Sequence, residues 1–301
     1  LLAMYNNAMA IEVEAYEEEV FDGPMIAKLP KAGKIKKEAQ NEVFGTTEWT
    51  LSNGMKVIYK QTTFKDDEIR MTAYSPGGLT ALPQDDPYTL QNLGDIITLG
   101  GVGEFSAIDL PKVLAGKKVS VAPAIYTYSE AMNGSCSPKD LETMMQLIHL
   151  YFTAPRADQE VFQSTMERTK AMLKNMELNP NLTLSDSITK VLYNNHPLRL
   201  RMNVEDYDKV DYAKAMEMYK DRFADPNNFT FIFVGNIDVE TFKPLVEQYL
   251  ASLKKKNRKE DWKDVGLGIT EGDYKTHYRK EMQDPKTSVY MIYNGDMEYN
   301  L

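Results

Sequence analysis

The sequence is short of the residues that carry most catalytic chemistry. Its 301 residues include one cysteine, Cys136, and three histidines, His149, His196 and His277. A single cysteine excludes an internal disulfide, which suits the cytosol and a bacterial periplasm alike. A catalytic thiol needs a histidine base beside it, and none of the three sits in a recognisable nucleophile motif, so Cys136 reads as a small core residue. No histidine precedes His149, which removes the commonest metal ligand from the N-terminal part of the chain. No apolar run approaches the ~18 residues that span a bilayer. The opening Leu1-Leu2-Ala3-Met4 lacks the basic start of a signal peptide; together with the abrupt Asn300-Leu301 it reads as the edge of a segment from a longer protein. Positive charge is also scarce, with a net charge of -9. The best basic run, Lys254 to Lys259, has no aromatics interleaved to stack bases. An acidic chain of this kind repels nucleic acid, and the run reads as a solvated helix end or linker.

What is present is a globular composition, 43% hydrophobic and 26% charged, enough for a sizeable core. Residues 1–21 read as an acidic amphipathic helix, and Gly23, Pro24, Pro30 and Gly33 with nearby lysines read as a linker. Trp49, Leu51, Met55, Val57 and Tyr59 alternate around Asn53-Gly54, a pair that accepts positive φ at both turn positions and so predicts a hairpin. A third strand carries Ile69, Met71 and Ala73. Helical spacing then predicts helices over 87–99 and 106–116, and alternation predicts strands at 119–126 and around Met132. Ser137-Pro138-Lys139-Asp140 opens a helix that ends before Pro155. Further helices are expected at 158–176, 184–193 and 212–223, then a buried strand at 229–234 and a helix after Asp238. Residues 254–273 read as a polar linker, and 274–282 and 286–293 as two more strands. The order predicts an α+β fold.

Several stretches are specific in combination: LSNGMKVIYK at 51–60, RMTAYSPGG at 70–78, SPKDLETMMQLIHLYFTAPR at 137–156, LYNNHPLRL at 192–200, MYKDRFADPNNFTFIFVGNID at 218–238 and LVEQYLASL at 245–253. In this the chain resembles a domain of the pitrilysin/insulysin family of zinc metallopeptidases, and most of all the large single-chain bacterial members. The resemblance implies a mixed or antiparallel sheet with helices packed on it over 46–253. It makes 1–45 the end of a preceding domain and a linker, and 254–301 a linker and the opening strands of a following domain.

Catalysis in that family uses His-x-x-Glu-His on the helix after the third strand. Two histidines four residues apart share one ion, and the glutamate takes a proton from the metal-bound water. Laid on this sequence, the motif falls on Gln91 to Asp95: Gln91 stands for the first histidine, Gly94 for the base and Asp95 for the second histidine. The later helix that completes the ligand set offers only Glu167 and Glu177. The resemblance therefore implies a segment with no catalytic, cofactor or metal residue of its own. Zinc is expected elsewhere in the parent protein, a zinc endopeptidase of a bacterial envelope or periplasm. The segment is expected to form chamber wall and a peptide-docking surface, with sister domains and peptide substrates as partners. The alternative on the same fold is a scaffold or protein-binding module without peptidase activity.

The remaining candidates have structural readings. His149 lies on an apolar helix, His196 in a loop before Pro197, and His277 has no partner in sequence. Gly100-Gly101-Val102-Gly103 lacks the lysine of a phosphate loop and reads as a flexible turn. Asp66-Asp67 and Asp85-Asp86 fall in polar loops. Tyr126 and Tyr128 are expected on one face of a strand, packed across to a neighbour.

Overall fold

The computed structural model describes residues 24–176, 179–279, 281, 286–295 and 298. The helix expected over 1–21, Glu177 and Met282 lie outside the described residues. Seven strands follow the period-two runs: β1 Ile35–Asn41, β2 Thr46–Leu51, β3 Lys56–Gln61, β4 Ile69–Pro76, β5 Val119–Ile125, β6 Ser129–Cys136 and β7 Thr230–Gly235. They form one sheet in the order β1-β2-β3-β7-β4-β6-β5. Only β3 and β7 run parallel; every other ladder is antiparallel. The late strand β7 enters the middle of the sheet, so the fold closes only when its last strand arrives.

Helices cover one face. They are α1 Pro87–Ile96, α2 Asp109–Val113, α3 Leu141–Thr153, α4 Gln159–Met176, α5 Pro180–Leu192, α6 Tyr212–Arg222 and α7 Val239–Leu245, which runs on into a π turn at Val246–Leu250. Asp86 caps α1 by accepting from the Thr89 amide at 3.0 Å, and Asp211 caps α6 at Lys214 in the same way. Trp49, Val57, Ile69, Met71, Phe231 and Phe233 point to the helical face and are buried. Phe242 of α7 meets Phe233 edge-on with ring centres 5.0 Å apart, and Phe152 of α3 meets Phe229 at the same distance. Such aromatic pairs contribute about 1 kcal/mol each beyond their buried area.

The structure departs from the sequence reading in several places. Strand β1 occupies part of the stretch read as a linker. Its residues, Ile-Lys-Lys-Glu-Ala-Gln-Asn, are nearly all exposed, so no apolar period marks it; charged edge strands of this kind resist pairing with other chains. Glu38 of β1 accepts from the Trp49 indole at 2.9 Å. The hairpin at 52–55 forms, but only Gly54 has positive φ, 91°. Asn53 is instead buried, donating to the Leu250 and Leu253 carbonyls at 2.8 and 3.1 Å. The glycine turn is not loose: the Gly103 amide donates to Ala154 O at 2.8 Å, and Val102 bridges to Phe105 and Pro155. Tyr126 and Tyr128 lie at the turn joining β5 and β6 rather than on a strand face, and Tyr128 packs edge-on against Trp262 at 5.6 Å.

The segment after Leu253 is likewise held to the domain. Arg258 pairs with Asp221 at 2.6 Å, Leu267 is buried, and the Thr270 amide donates to Leu192 O at 2.7 Å. Among the described residues, 274–279 and 286–295 form no strand, because alternation supplies a face but a strand also needs a neighbour to bond.

Candidate functional site

Helix α1 carries the positions where the resemblance puts a metal motif. Its apolar side, Leu90, Leu93 and Ile96, is buried in the core. Gln91 and Asp95 sit one turn apart on the other side. Gln91 is half-buried, and its amide Nε2 donates to Pro197 O at 2.5 Å. Gly94 has no side chain to act as a base, and Asp95 is exposed. Glu167 of α4 is engaged by Lys170 at 2.5 Å. An amide, a bare Cα and one solvated carboxylate do not fit zinc, which asks for nitrogen, sulfur or paired oxygen donors in a tetrahedron. Among the described residues no group of three histidine, cysteine or acidic side chains is arranged to hold a metal ion.

Gln91 borders a cleft of about 330 Å³ between α1 and the loop 197–203, with Tyr88, Asp186, Lys190, Arg201 and Asp206 around it. Arg201 holds Asp186 through Nε and Nη2, the shorter contact 2.7 Å. Asn92, beside Gln91, donates to Tyr88 O at 2.9 Å and contacts the Met202 sulfur.

Two of the three histidines, His149 and His196, contact backbone carbonyls. His149 is buried on α3 with Nδ1 2.8 Å from Tyr249 O. Burial lowers its pKa below the usual histidine value, partly offset by that bond. His196 contacts Val265 O through Nε2 at 2.9 Å and accepts from the Leu198 amide through Nδ1 at 3.3 Å. His277 is exposed. Cys136 is buried, and burial, with Asp140 adding, pushes its thiol up to about 12; a thiol so rarely ionised is a poor nucleophile. Asp67 pairs with Lys118 at 2.7 Å and Asp86 caps α1, so the acidic pairs do not face each other across a cleft.

Two features escaped the sequence. The first is a buried ion network. Arg222 on α6 and Glu130 on β6 are almost fully buried and meet at 2.6 Å, while the Gly78 amide donates to the same Glu130 oxygen at 2.7 Å. Glu260 reaches Arg222 from the segment after the last helix, and Arg258 joins Glu260 at 2.7 Å. Burial pushes the Glu260 carboxyl above its usual range against the pull of Arg222 and Arg258. The partners are far apart in sequence, and no local signal couples them.

The second is the sheet face opposite the helices. Tyr74 is 53% exposed, Ile232 37% and Val234 38%. Ile232 stands between Ile58 and Thr72, and Val234 between Lys60 and Arg70. A shallow groove of about 440 Å³ runs over Arg70, Thr72, Asn133, Ser135, Ile232 and Val234. The run Phe231-Ile232-Phe233-Val234 is apolar on both faces and reads as a buried strand; the structure buries the two phenylalanines and leaves Ile232 and Val234 part-exposed.

A seven-stranded mixed sheet with helices packed on it and a late strand at its centre defines an α+β domain, and helix α1 presents glutamine, glycine and aspartate at the motif positions 91, 94 and 95. The description "Peptidase M16 inactive domain" matches residues 209–301. The zinc protease PQQL-like of Arabidopsis thaliana is 31% identical over 244 residues, covering 81% of this chain and 23% of that protein. The periplasmic protease PqqL from Escherichia coli superposes with a TM-score of 0.68 at 20% identity, over 90% of this chain and 29% of that one. A mutant of the ferredoxin protease FusC, in complex with Arabidopsis ferredoxin, gives 0.70 at 18% identity, over 89% and 29%. The chain belongs to the M16 family, which includes pitrilysin, as a non-catalytic domain, and it spans about a quarter of the length of these relatives.

Proposed function

We propose that the chain is a wall segment of a larger zinc-dependent endopeptidase, with its bare sheet face turned toward sister domains or the substrate space. The observation that carries this reading is the sheet face itself. Ile58, Ile232, Val234 and Tyr74 form an apolar strip among Thr72, Asn133, Arg70 and Ser135, a mix that suits an unfolded peptide or a polar domain interface. Peptide docking belongs to this face rather than to a sheet edge. Strand β1 is charged and bulged between Ile35 and Lys37, and β5 carries Pro123, which lacks a backbone donor.

The relatives are named zinc proteases, and this chain's α1 positions do not suit the metal. Zinc is therefore assigned to another domain of the parent, and this domain's body takes in β1 and the segment to Thr270 along with 46–253. The periplasmic location of the E. coli relative supports a cell-envelope setting. The test is metal content after zinc loading and dialysis. This chain should retain less than about a tenth of an equivalent, and the parent protein about one. One tight zinc on this chain would overturn the reading. A parent with no His-x-x-Glu-His and no peptidase activity would establish the scaffold alternative.

A further inference from the structure

The segment after the last helix runs back across the domain along a defined path. At its start the Arg258 amide donates to Asp225 at 2.6 Å, and its guanidinium holds Asp221 and Glu260. Glu260 reaches the buried Arg222. Trp262 rests on Tyr128, and the Lys263 amide donates to Thr80 Oγ1 at 3.2 Å. Further on, Val265 O takes the His196 ring contact at 2.9 Å, Leu267 is buried, and Thr270 bonds Leu192 O through both its amide and its hydroxyl.

The loop that this segment grips at 192–199 runs on into the other wall of the cleft beside Gln91, which Pro197 and residues 200–203 line. On its cleft side Pro197 O accepts from Gln91, and Met202 takes the Asn92 contact. Asn194 and Asn195 hold left-handed φ values of 46° and 54° at the start of that loop, a conformation that non-glycine residues adopt at a cost unless neighbours enforce it. The enforcing neighbour is the last turn of α5, whose Lys190 and Val191 carbonyls accept the Asn195 and Asn194 amides; the strap and α1 hold the loop further on, at His196 and Pro197.

We infer that residues 258–270 act as a strap that sets the conformation of the loop 194–203, and through it the width of the cleft beside α1. The strap is anchored at two ends: the ion network at Arg222 and the hydrogen bonds at Leu192 and His196. Displacing the chain beyond residue 270 is thereby transmitted to the cleft wall. Any partner that moves that following chain changes the cleft without touching it.

The test is hydrogen–deuterium exchange on the full 301-residue chain. Glu260→Lys sets a third positive charge against Arg222 and Arg258 and leaves the Arg222–Glu130 pair intact, so the strap lifts at the end remote from the cleft. The expected result is at least a ten-fold rise in exchange over both 258–270 and 194–203, with β4 and β7 unchanged. Trp262 should become more accessible to iodide quenching. A freed strap with wild-type exchange in 194–203 would overturn the coupling, and so would a strap that stays protected in the variant. If Glu260→Lys does not fold, Arg258→Ala replaces it, since its partner Asp221 is half-exposed. The same exchange and quenching results then support or overturn the coupling.

Discussion

At the residue scale the decisive groups are the few charges and polar atoms inside the fold. Arg222 answers to two buried carboxylates, Glu130 and Glu260, with side-chain exposures of 0% and 13%, and to the half-exposed Asp221 at 3.6 Å. Removing the cation leaves both acids buried without it, and breaking a buried pair from one side costs about 3–5 kcal/mol. Arg222→Met should therefore lower unfolding free energy by that amount in urea titrations. Glu260→Gln should cost less, because it removes the cost of desolvating a charge along with the attraction. The pH dependence has a defined sign. The folded carboxyl of Glu260 titrates above the ordinary 4.5, so the folded state holds this proton more tightly than the unfolded state. This group's contribution falls as pH rises from 4.5 through its folded pKa. Comparing melts of the parent sequence and Glu260→Gln across that interval checks the sign. Cys136 offers a simpler test: with its thiol pushed up to about 12 and its side chain buried, it should resist a thiol reagent at pH 8 and react on unfolding.

At the scale of elements, the β2–β3 hairpin shows how one side chain serves two segments. Asn53 Oδ1 accepts from the Met55 amide at 3.2 Å, while Nδ2 satisfies the carbonyls of Leu250 and Leu253 at the end of the π turn. Leu250 O also accepts from the Leu253 amide at 3.2 Å, and Asn53 completes the closure of this helix end inside the protein. Asn53→Ala should cost about 1–3 kcal/mol, visible as a lower melting temperature with native secondary structure retained. Gly54 beside it has no room to change: a Cβ there would lie 1.8 Å from Asn227 Oδ1, at a φ of 91°. The hairpin was readable from Asn53-Gly54 alone. The choice of turn was not, because the partner that recruits the asparagine lies at the far end of the chain.

At the scale of the whole molecule, the helical face of the sheet closes the core and the other face is left for something else. Ile232→Glu with Val234→Glu should leave the melting temperature of this chain within about 1 °C, since exposed substitutions away from special features change stability little. In the parent protein the same pair should lower kcat/KM for a peptide substrate at least ten-fold, the outcome expected of a chamber wall. Unchanged turnover would show that this face serves neither substrate nor the active arrangement of domains. The sequence by itself determined the α+β class, the strands β2 to β7 and the capped helices, and it sets Gln91, Gly94 and Asp95 where the motif has histidine, glutamate and histidine. These are readable because local propensity, periodicity and ligand chemistry are properties of neighbouring residues. Tertiary structure alone decided that the charged β1 joins the sheet, that β7 enters its centre, that Arg222 is buried against Glu130, and that residues 258–270 bond back onto the domain. Each of these depends on residues far apart in the chain, whose burial and partners exist only once the sheet has closed around them.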